Sequence, residues 1–233
     1  NTYYYDGNGH LAIGEKSIDG NSYYFQSNGN MLTNGFANRK YYGSNGVLVA
    51  VSNYGSVFYK IEGNSTTTVD QMVRFYNNSG NTYPSEALGK GGAATIRDLA
   101  QIFYEEAAAE GIKAEVVWAQ TMHETGYLKF GGQVKIEQFN FAGLGATDGG
   151  AAGASFSDVR TGVRAQVQHM KAYASTAALK NACVDPRFNL VTRGSAQYVE
   201  ILGQKENPTG AGWATNQNYG ISLVELITKL KNS

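Results

Sequence analysis

The sequence predicts an α+β chain of more than one domain, in which small β-hairpin repeats are followed by a mainly helical region. Two observations lead to this prediction. Aromatic residues followed by Asn-Gly recur within residues 1–63 at a spacing close to 20 residues. From residue 93 onward, apolar residues recur at the three- and four-residue spacing of amphipathic helices. A chain of 233 residues is long enough for two such regions.

Residues 1–63 contain four related segments, which begin at Tyr3, Tyr23, Tyr41 and Phe58. Each has an aromatic run, and in the first three this run leads through Asn-Gly to a short apolar run. Asn-Gly between such runs predicts a hairpin, because these residues tolerate positive φ at the turn. A short period of this kind is typical of units that stack on their neighbours. The sequence therefore predicts a β-hairpin solenoid over residues 1–63.

Residues 64–92 read as a linker that docks on the domain after it. A polar segment, residues 64–68, precedes a short amphipathic helix over residues 69–76 and then a turn-rich stretch. Three of its side chains are large and should be buried: Met72, Phe75 and Tyr83. We place the boundary of the final domain at residue 93, so that this domain spans residues 93–233.

Helix signals dominate residues 93–233. Thr95 with Asp98 three residues later resembles a capping box, and Gly111 should end the helix that follows. The next helix should run from Lys113 to His123, with Trp118 in the core. Further helices are expected over residues 158–173, 175–182 and 194–202 and from Ile221 onward.

The composition limits the possible partners. Lys plus Arg and Asp plus Glu number 19 each, so the net charge is zero, which argues against a nucleic-acid partner. Nothing in the charge pattern indicates binding to a membrane surface. Charged residues are only 16% of the chain, whereas Gly (29) and Tyr (16) are frequent. Such a surface suits a neutral glycan, and a monomer is expected.

Other sequence features set further expectations. The single cysteine, Cys183, excludes an intramolecular disulfide and is expected to pack as a small buried thiol. His123-Glu124 is not continued as a His-Glu-x-x-His motif, so neither a metal nor a cofactor is expected. We find no run of 18 apolar residues and no signal-peptide pattern. Because Asn1 falls within a repeat, we expect a mature or truncated chain.

Glu124 is the first candidate for chemistry. It ends an apolar helix, where burial should raise the pKa of its carboxyl. A carboxyl of raised pKa that opens into a groove can protonate a glycosidic oxygen. The Gly-rich, irregular residues 125–158 could form one wall of that groove. The alternative is that Glu124 is simply a solvated acid at a helix end.

Three motifs carry a family resemblance: Gln-Thr-Met-His-Glu-Thr-Gly (120–126), Asn-Phe-Ala-Gly-Leu-Gly (140–145) and Trp-Ala-Thr-Asn-Gln-Asn-Tyr (213–219). In this order they resemble the glucosaminidase domain of bacterial autolysins, glycoside hydrolase family 73. The resemblance implies a lysozyme-like helical fold. It also implies an endo-β-N-acetylglucosaminidase, secreted to the bacterial cell wall, that cleaves peptidoglycan strands after N-acetylglucosamine.

The resemblance implies a role for Glu124 and, with less precision, for a second group. Glu124 takes the position of the general acid. The family often carries a second acid between the Asn-x-x-Gly turn and the next helix, and we predict Asp148. Asp158 and Glu137 are the alternatives, although Asp158 precedes a helix and could instead be its N-cap. The substrate's own 2-acetamido group could also act as the nucleophile.

Substrate contacts are predicted at five residues. Tyr127, Phe139 and Trp213 could stack on sugar rings, although each could equally be a core residue. Asn140 could bind an acetamido group or hold its own turn together. Tyr219 resembles the family's groove tyrosine and is expected to orient the acetamido group or a water molecule near Glu124.

The repeats of residues 1–63 are similar to the cell-wall-binding repeats of choline-binding and glucan-binding bacterial proteins. They depart from that pattern because they contain no tryptophan. Tryptophan is the best aromatic face for a quaternary ammonium, so the tyrosines either form a weaker choline cage or only pack the repeats. A wall polymer or choline is the expected partner.

Three other functions remain open. A lytic transglycosylase shares the expected fold and also works with a single Glu, whereas a muramidase would cut the other glycosidic bond. The chain could also be a wall-glycan-binding protein without activity.

Overall fold

A computed structural model describes residues 2–233, except residues 34, 39, 44, 52–57, 147–149, 151 and 208. In the described part, five strands precede six α-helices. The strands are β1 (Gly14–Ile18), β2 (Asn21–Phe25), β3 (Gly35–Ala37), β4 (Lys40–Tyr42) and β5 (Leu48–Val51). The helices are α1 (Val69–Asn77), α2 (Ser85–Lys90), α3 (Ile96–Glu110), α4 (Ala114–Glu124), α5 (Val159–Ala174) and α6 (Tyr219–Lys231). The fold is thus mixed, with a mostly helical second part.

The strands form two small antiparallel sheets, one with the order β1-β2 and one with the order β3-β4-β5. The register of the β1-β2 hairpin runs from Gly14 opposite Phe25 to Ile18 opposite Asn21. Its turn is Asp19-Gly20, with φ values of 50° and 80°. Positive φ at both central residues is the requirement of a type I′ turn, whose twist matches that of the strands.

The Asn-Gly pairs of the first three segments lie in turns, as predicted, and the third of them, Asn45-Gly46, lies between the paired strands β4 and β5. In the first turn, Gly9 N donates to Asp6 O and Asp6 N donates to His10 O. Equivalent bonds surround Gly29 and Gly46. Only the glycine of each pair has positive φ, so these are three-residue loops rather than type I′ turns. The first two are flanked by single bridges, Tyr5 with Leu11 and Phe25 with Met31.

The segment predicted as the fourth repeat, from Phe58 to Gly63, is bound to the helical region. Phe58 and Ile61 are buried in the same core as the helices. Lys60 forms a bridge with Tyr198, and Glu62 forms one with Ile112. Its described backbone pairing therefore differs from that of the first three segments, because its apolar residues are buried in the larger helical core.

Part of residues 64–92, the predicted linker, contacts the helical region. Helix α1 packs against α3 and α6, and it buries Met72 and Phe75. Tyr83 is partly buried, and its hydroxyl donates to Ala93 O at 2.8 Å.

Helix α4 is the centre of the helical region. Every residue from Ala114 to Met122 is buried, and Trp118 has no exposed surface. Helix α3, which packs against α4, starts at the predicted Thr95–Asp98 capping box and ends at Gly111 with φ 70°. Helix α5 also packs against α3 and α4. Along the described chain, no helix is long and apolar enough to cross a membrane.

Two predicted helices are wrong. Residues 175–182 contain no helix, because the Glu110 carboxylate accepts hydrogen bonds from the backbone of Lys180 and Asn181. Within residues 194–202 only a 3₁₀ turn forms, Val199–Ile201. There Ala196 N and Val199 N donate to carbonyls of other segments, so they are not available to a helix. Cys183, expected to be buried, is exposed.

Gly162 of α5 provides a test of this packing. A Cβ at residue 162 would collide with the carbonyl of Phe139, the residue before the Asn140 turn. We expect Gly162→Ala to destabilise the protein by about 1–3 kcal/mol, although alanine favours helices. Urea unfolding would measure this change.

The matched control is Gly89 of α2, where a Cβ would make only ordinary contacts at 3.6 Å and beyond. Gly89→Ala should be neutral or stabilising by up to about 1 kcal/mol. Equal effects of the two substitutions would contradict the proposed packing of Phe139 against α5.

Candidate active site

Glu124 is the last residue of α4 and opens into a groove of about 310 Å³. The groove is lined by Glu124, Thr125, Phe130, Gly131, Gly132, Gln133, Val134, Asn140, Gly143 and Ala146. The Gly-rich segment after α4 thus supplies one wall, and the Asn140–Ala146 turn supplies another. This arrangement agrees with the groove expected from residues 125–158.

A left-handed turn follows the acid directly. Gly126, Tyr127 and Leu128 have φ values of 58°, 59° and 63°. Non-glycine residues in this region are strained, and the turn is held by Thr125. The Thr125 hydroxyl donates to Thr121 O at 2.7 Å and accepts from Leu128 N at 2.9 Å. The turn therefore fixes the direction in which the chain leaves the carboxyl of Glu124.

Asn140 holds the opposite wall together. Its side-chain nitrogen donates to Leu144 O at 2.9 Å and to Ala154 O at 3.0 Å, and its oxygen accepts from Leu144 N at 2.9 Å. The residue is 1% exposed. The amide is thus engaged within the protein, which is the turn-holding role considered from the sequence. A contact with substrate stays a prediction.

Two effects shift the pKa of the Glu124 carboxyl in opposite directions. Crowding by surrounding protein raises its pKa, whereas a hydrogen bond from Tyr219 lowers it, and the net shift is upward. The Tyr219 hydroxyl donates to Glu124 Oε1 at 2.5 Å. The residue is nevertheless exposed to solvent, and it lines the groove. Such a carboxyl retains its proton to a higher pH than a free glutamic acid.

A buried chain of amides lies behind Tyr219. Gln120 Nε2 donates to the Tyr219 oxygen at 3.0 Å, and Gln166 Nε2 donates to Gln120 Oε1 at 2.9 Å. Neither glutamine has exposed surface. Sequence reasoning did not identify Gln166 as functional. A signal was present, because Gln166 lies on the apolar face of α5 between Val163 and Met170.

The structure places the other predicted contact residues in different surroundings. Tyr127 packs against Phe75, and Phe139 is 8% exposed. Trp213 contacts the rings of His169 and Tyr173. Tyr219 is 3% exposed and bonds to the acid itself. Of these residues, the structure thus brings Tyr219 into direct contact with Glu124.

The three candidates for the second acid differ in their positions and partners. Asp158 caps α5: its carboxylate accepts from Thr161 N at 2.8 Å and from Ser157 Oγ at 2.7 Å. Burial raises the pKa of Asp158, but these hydrogen bonds outweigh it and the net shift is downward. Glu137 lines a different cleft, beside α2. Asp148 lies outside the described residues. Within those residues, no group of three or more His, Cys, Asp or Glu side chains could hold a metal ion.

A further cleft of about 240 Å³ lies near Tyr41, Ser195 and Tyr198. Its described lining contains two tyrosines but no carboxyl group. The groove at Glu124 is the candidate active site because a carboxyl whose pKa is raised lies in its lining.

Comparison with known proteins agrees with this choice. Residues 100–232, more than half of the chain, match the model of the Glucosaminidase family, described as mannosyl-glycoprotein endo-beta-N-acetylglucosaminidase. The chain belongs to the glucosaminidase family. The family region includes Glu124, Tyr219 and both glutamines behind them, whereas the hairpin segments lie outside it.

Two individual proteins are similar to this family member. An uncharacterized protein of Borreliella burgdorferi is 39% identical over 135 residues, which cover 58% of this chain and 63% of that protein. The match thus spans less than two thirds of that relative's length. A crystal structure of S. aureus autolysin E in complex with the muropeptide NAM-L-Ala-D-iGlu aligns with a TM-score of 0.48 and 13% identity, over 94% of this chain and 84% of that one. A score at this level does not establish a shared fold.

The role of Asn140 can be tested by replacing its side-chain amide with a carboxyl group. In Asn140→Asp, a carboxylate oxygen would face the carbonyls of Leu144 and Ala154. We expect a loss of roughly 2–4 kcal/mol of stability at pH 7, because a buried carboxylate oxygen would face two carbonyl oxygens with no donor between them. At low pH the protonated aspartic acid can donate to one carbonyl, so the loss should shrink as the pH falls through a raised pKa.

Denaturant unfolding at pH 4 and pH 7 measures both effects. The same substitution at the exposed Asn64 is the control and should change stability little at either pH. If Asn140→Asp were as stable as the parent protein while losing affinity for glycan, Asn140 would be a substrate contact rather than the holder of the turn.

Proposed function

We propose that this chain is a glycoside hydrolase, an endo-β-N-acetylglucosaminidase that cleaves the glycan strands of peptidoglycan after N-acetylglucosamine. The observation that carries the proposal is the carboxyl of Glu124, which opens into a groove within the family-matched region and has a raised pKa. In this proposal Glu124 is the general acid that protonates the leaving glycosidic oxygen.

The proposed substrate class follows from a glycosidic bond that is common to two kinds of glycan, those named in the family description and those cleaved by autolysins. Mannosyl-glycoproteins and peptidoglycan both contain a β-linked N-acetylglucosamine, and its reducing-side bond is the one to be cut. We favour peptidoglycan because motifs at residues 120–126, 140–145 and 213–219 resemble bacterial autolysins. The lysozyme-like arrangement of the helices and the extracellular, cell-wall location belong to the same proposal.

The second catalytic group is proposed to be Asp148. Support comes from the positions of the alternatives: Asp158 is used as a helix cap, and Glu137 faces another cleft. The substrate's acetamido group is the remaining candidate. Tyr219 is proposed to support the acid through its hydroxyl, and Tyr127, Phe139 and Trp213 are retained as proposed sugar contacts.

Analysis of the products of purified peptidoglycan tests the proposal. We expect new reducing N-acetylglucosamine ends, and we expect Glu124→Gln to lower the rate roughly 10²–10⁴-fold. Reducing muramic ends would show a muramidase, and anhydro ends a lytic transglycosylase. If the protein released glycan only from a mannosyl-glycoprotein, that glycoprotein rather than peptidoglycan would be the substrate. If it cleaved neither, the remaining interpretation would be a glycan-binding protein without activity.

The same assay distinguishes the candidates for the second group. If Asp148 acts, Asp148→Asn should lose activity on the scale of Glu124→Gln, whereas Asp158→Asn and Glu137→Gln should not. If all three variants remain active, the acetamido group becomes the nucleophile.

The hairpin segments are proposed to form a short solenoid that anchors the enzyme, as a monomer, to a wall polymer. One contact recurs from unit to unit: Leu11 covers Gly29, and Met31 covers Gly46. Rings of neighbouring units also meet, as in Tyr4 with Phe25 and Tyr24 with Tyr42. Tyr3 and Tyr5 are 46% and 59% exposed and could contact a ligand such as choline or a glycan.

Co-sedimentation with purified cell walls tests the anchor. A double variant, Tyr3→Ala with Tyr5→Ala, should bind walls more weakly while cleaving soluble oligosaccharides at the normal rate. Leu190→Ala removes a large apolar side chain that is even more exposed, at 70%, from the helical region and is the control. Unchanged wall binding in the double variant would refute a role for these tyrosines, and competition by choline would identify the ligand class.

A further inference from the structure

The hydrogen bonds behind Glu124 form a single chain that begins at a backbone carbonyl. Gln166 Nε2 donates both to Val117 O at 3.1 Å and to Gln120 Oε1 at 2.9 Å. The oxygen of Gln166 accepts from the Thr121 hydroxyl at 3.0 Å. Gln120, Thr121 and Gln166 have no exposed surface, so water cannot replace any of these partners.

The direction of this chain follows from what each group can do. A carbonyl only accepts, so Val117 O requires the nitrogen side of the Gln166 amide. That nitrogen then requires the oxygen of Gln120, which turns the nitrogen of Gln120 toward Tyr219. Because the Tyr219 oxygen accepts this bond, its hydroxyl proton is left to donate to Glu124 Oε1. One carbonyl of α4 thus sets the orientation of three side chains.

The hydrogen bond from Tyr219 affects which oxygen of Glu124 carries the acidic proton. Oε1 already accepts from Tyr219, so a proton there would face another donor. Oε2 has no hydrogen-bond partner among the described residues, and the side chain opens to the groove. We therefore expect the proton of the neutral acid on Oε2, the oxygen to which no described residue bonds.

We propose that Gln166 is a positioning residue that fixes the direction of this chain and so keeps the acidic proton on the groove-facing oxygen of Glu124. The proposal rests on the proposed role of Glu124 as general acid. Two residues, Tyr219 and Gln120, separate Gln166 from the acid in this series of hydrogen bonds, and Gln166 does not line the groove. Without it, the Gln120 amide could turn over and present its oxygen to Tyr219, which would then no longer donate to Glu124.

The pKa of Glu124 reports this change. The hydrogen bond from Tyr219 lowers the pKa and opposes burial, which raises it. Donation by Gln120 strengthens the Tyr219 hydroxyl as a donor, because hydrogen bonds in a chain polarise one another. Loss of Gln166 should therefore raise the pKa of Glu124 further. In the described part of the chain, the titratable groups near the acid are Tyr219 of α6, bonded to it, and His123 of α4, whose ring contacts that of Tyr219. Tyr173 of α5 lies near enough to influence Tyr219.

The test compares Gln166→Met with Gln168→Met. Gln168 is also fully buried on α5, but its amide bonds to Ala182 and Val184, away from Glu124. The titration of Glu124 is followed by ¹³C NMR of the glutamate carboxyls, with Glu124→Gln identifying the signal. The pH profile of kcat is measured in parallel, and circular dichroism and urea unfolding check the fold.

We expect Gln166→Met to raise the pKa of Glu124, to move the basic limb of the pH profile upward and to lower kcat roughly three- to tenfold, with KM little changed. This is less than the ~100-fold cost of misplacing a reacting group by 1 Å. Gln168→Met should lose stability without either shift. In a Tyr219→Phe background, the Gln166 substitution should produce no additional shift, because the link to Glu124 is already broken.

An unchanged Glu124 titration in folded Gln166→Met would overturn the inference, as would an equal shift in Gln168→Met. If Gln166→Met does not fold, Gln120→Met interrupts the chain at the next link and should give the same shift. The NMR measurement needs no substrate, so a shift in a protein that cleaves no glycan would support the positioning role while refuting the proposed function.

Discussion

The burial of α4 is the constraint on which the rest of the helical region depends. From Ala114 to Met122 the helix has no exposed residue, so a polar side chain there can be satisfied only by a partner inside the protein. Among the described residues, Trp118 Nε1 has no such partner, whereas the other polar side chains of this segment do. Gln120 and Thr121 find theirs through Gln166, on a helix that packs against α4. Only at its last turn does α4 reach solvent, and there the carboxyl of Glu124 meets the groove.

Buried polar groups that need hydrogen-bond partners also connect the hairpin segments to the helical region. Tyr59 N donates to both oxygens of Glu200, at 3.0 and 2.9 Å, and the Tyr59 hydroxyl donates to Glu115 at 2.7 Å. The ammonium group of Lys113 lies 4.6 Å from the centre of the Tyr59 ring. One tyrosine is thus held at its backbone, its ring and its hydroxyl. This explains why the segment Phe58–Gly63, which resembles a repeat in sequence, is bound to the helices.

The sequence predicted those features that depend on local rules. The capping box at Thr95, the end of α3 at Gly111, the cap at Asp158 and the buried Trp118 follow from turn chemistry and periodicity. The failures share a cause in tertiary structure. The predicted helix at residues 175–182 is replaced by backbone bonds to Glu110, a residue distant in sequence. Local preference cannot reveal such a partner.

In the candidate site, too, local sequence features predicted one residue, and a residue placed by tertiary packing was missed. Glu124 was predicted from its place at the end of an apolar helix and from the motif around it. Gln166 was not, because a glutamine on an apolar helix face has meaning only once Gln120 and Val117 are known to lie opposite it. The pairing of two amides across α4 and α5 is set by packing, and no spacing within one segment encodes it.

Two glutamic acids of α4 show what distinguishes a structural from a catalytic carboxyl here. Glu115 has no exposed surface, and its oxygens accept from four donors: the Tyr59 hydroxyl, Thr66 N, and the hydroxyls of Thr66 and Thr67. From the residues that the structure describes, Glu124 accepts one bond, from Tyr219, and none of them bonds to its other oxygen. Residue type and helix are the same. The difference lies in the number of donors supplied, since a carboxyl can give up a proton to a substrate only from an oxygen that the protein does not occupy.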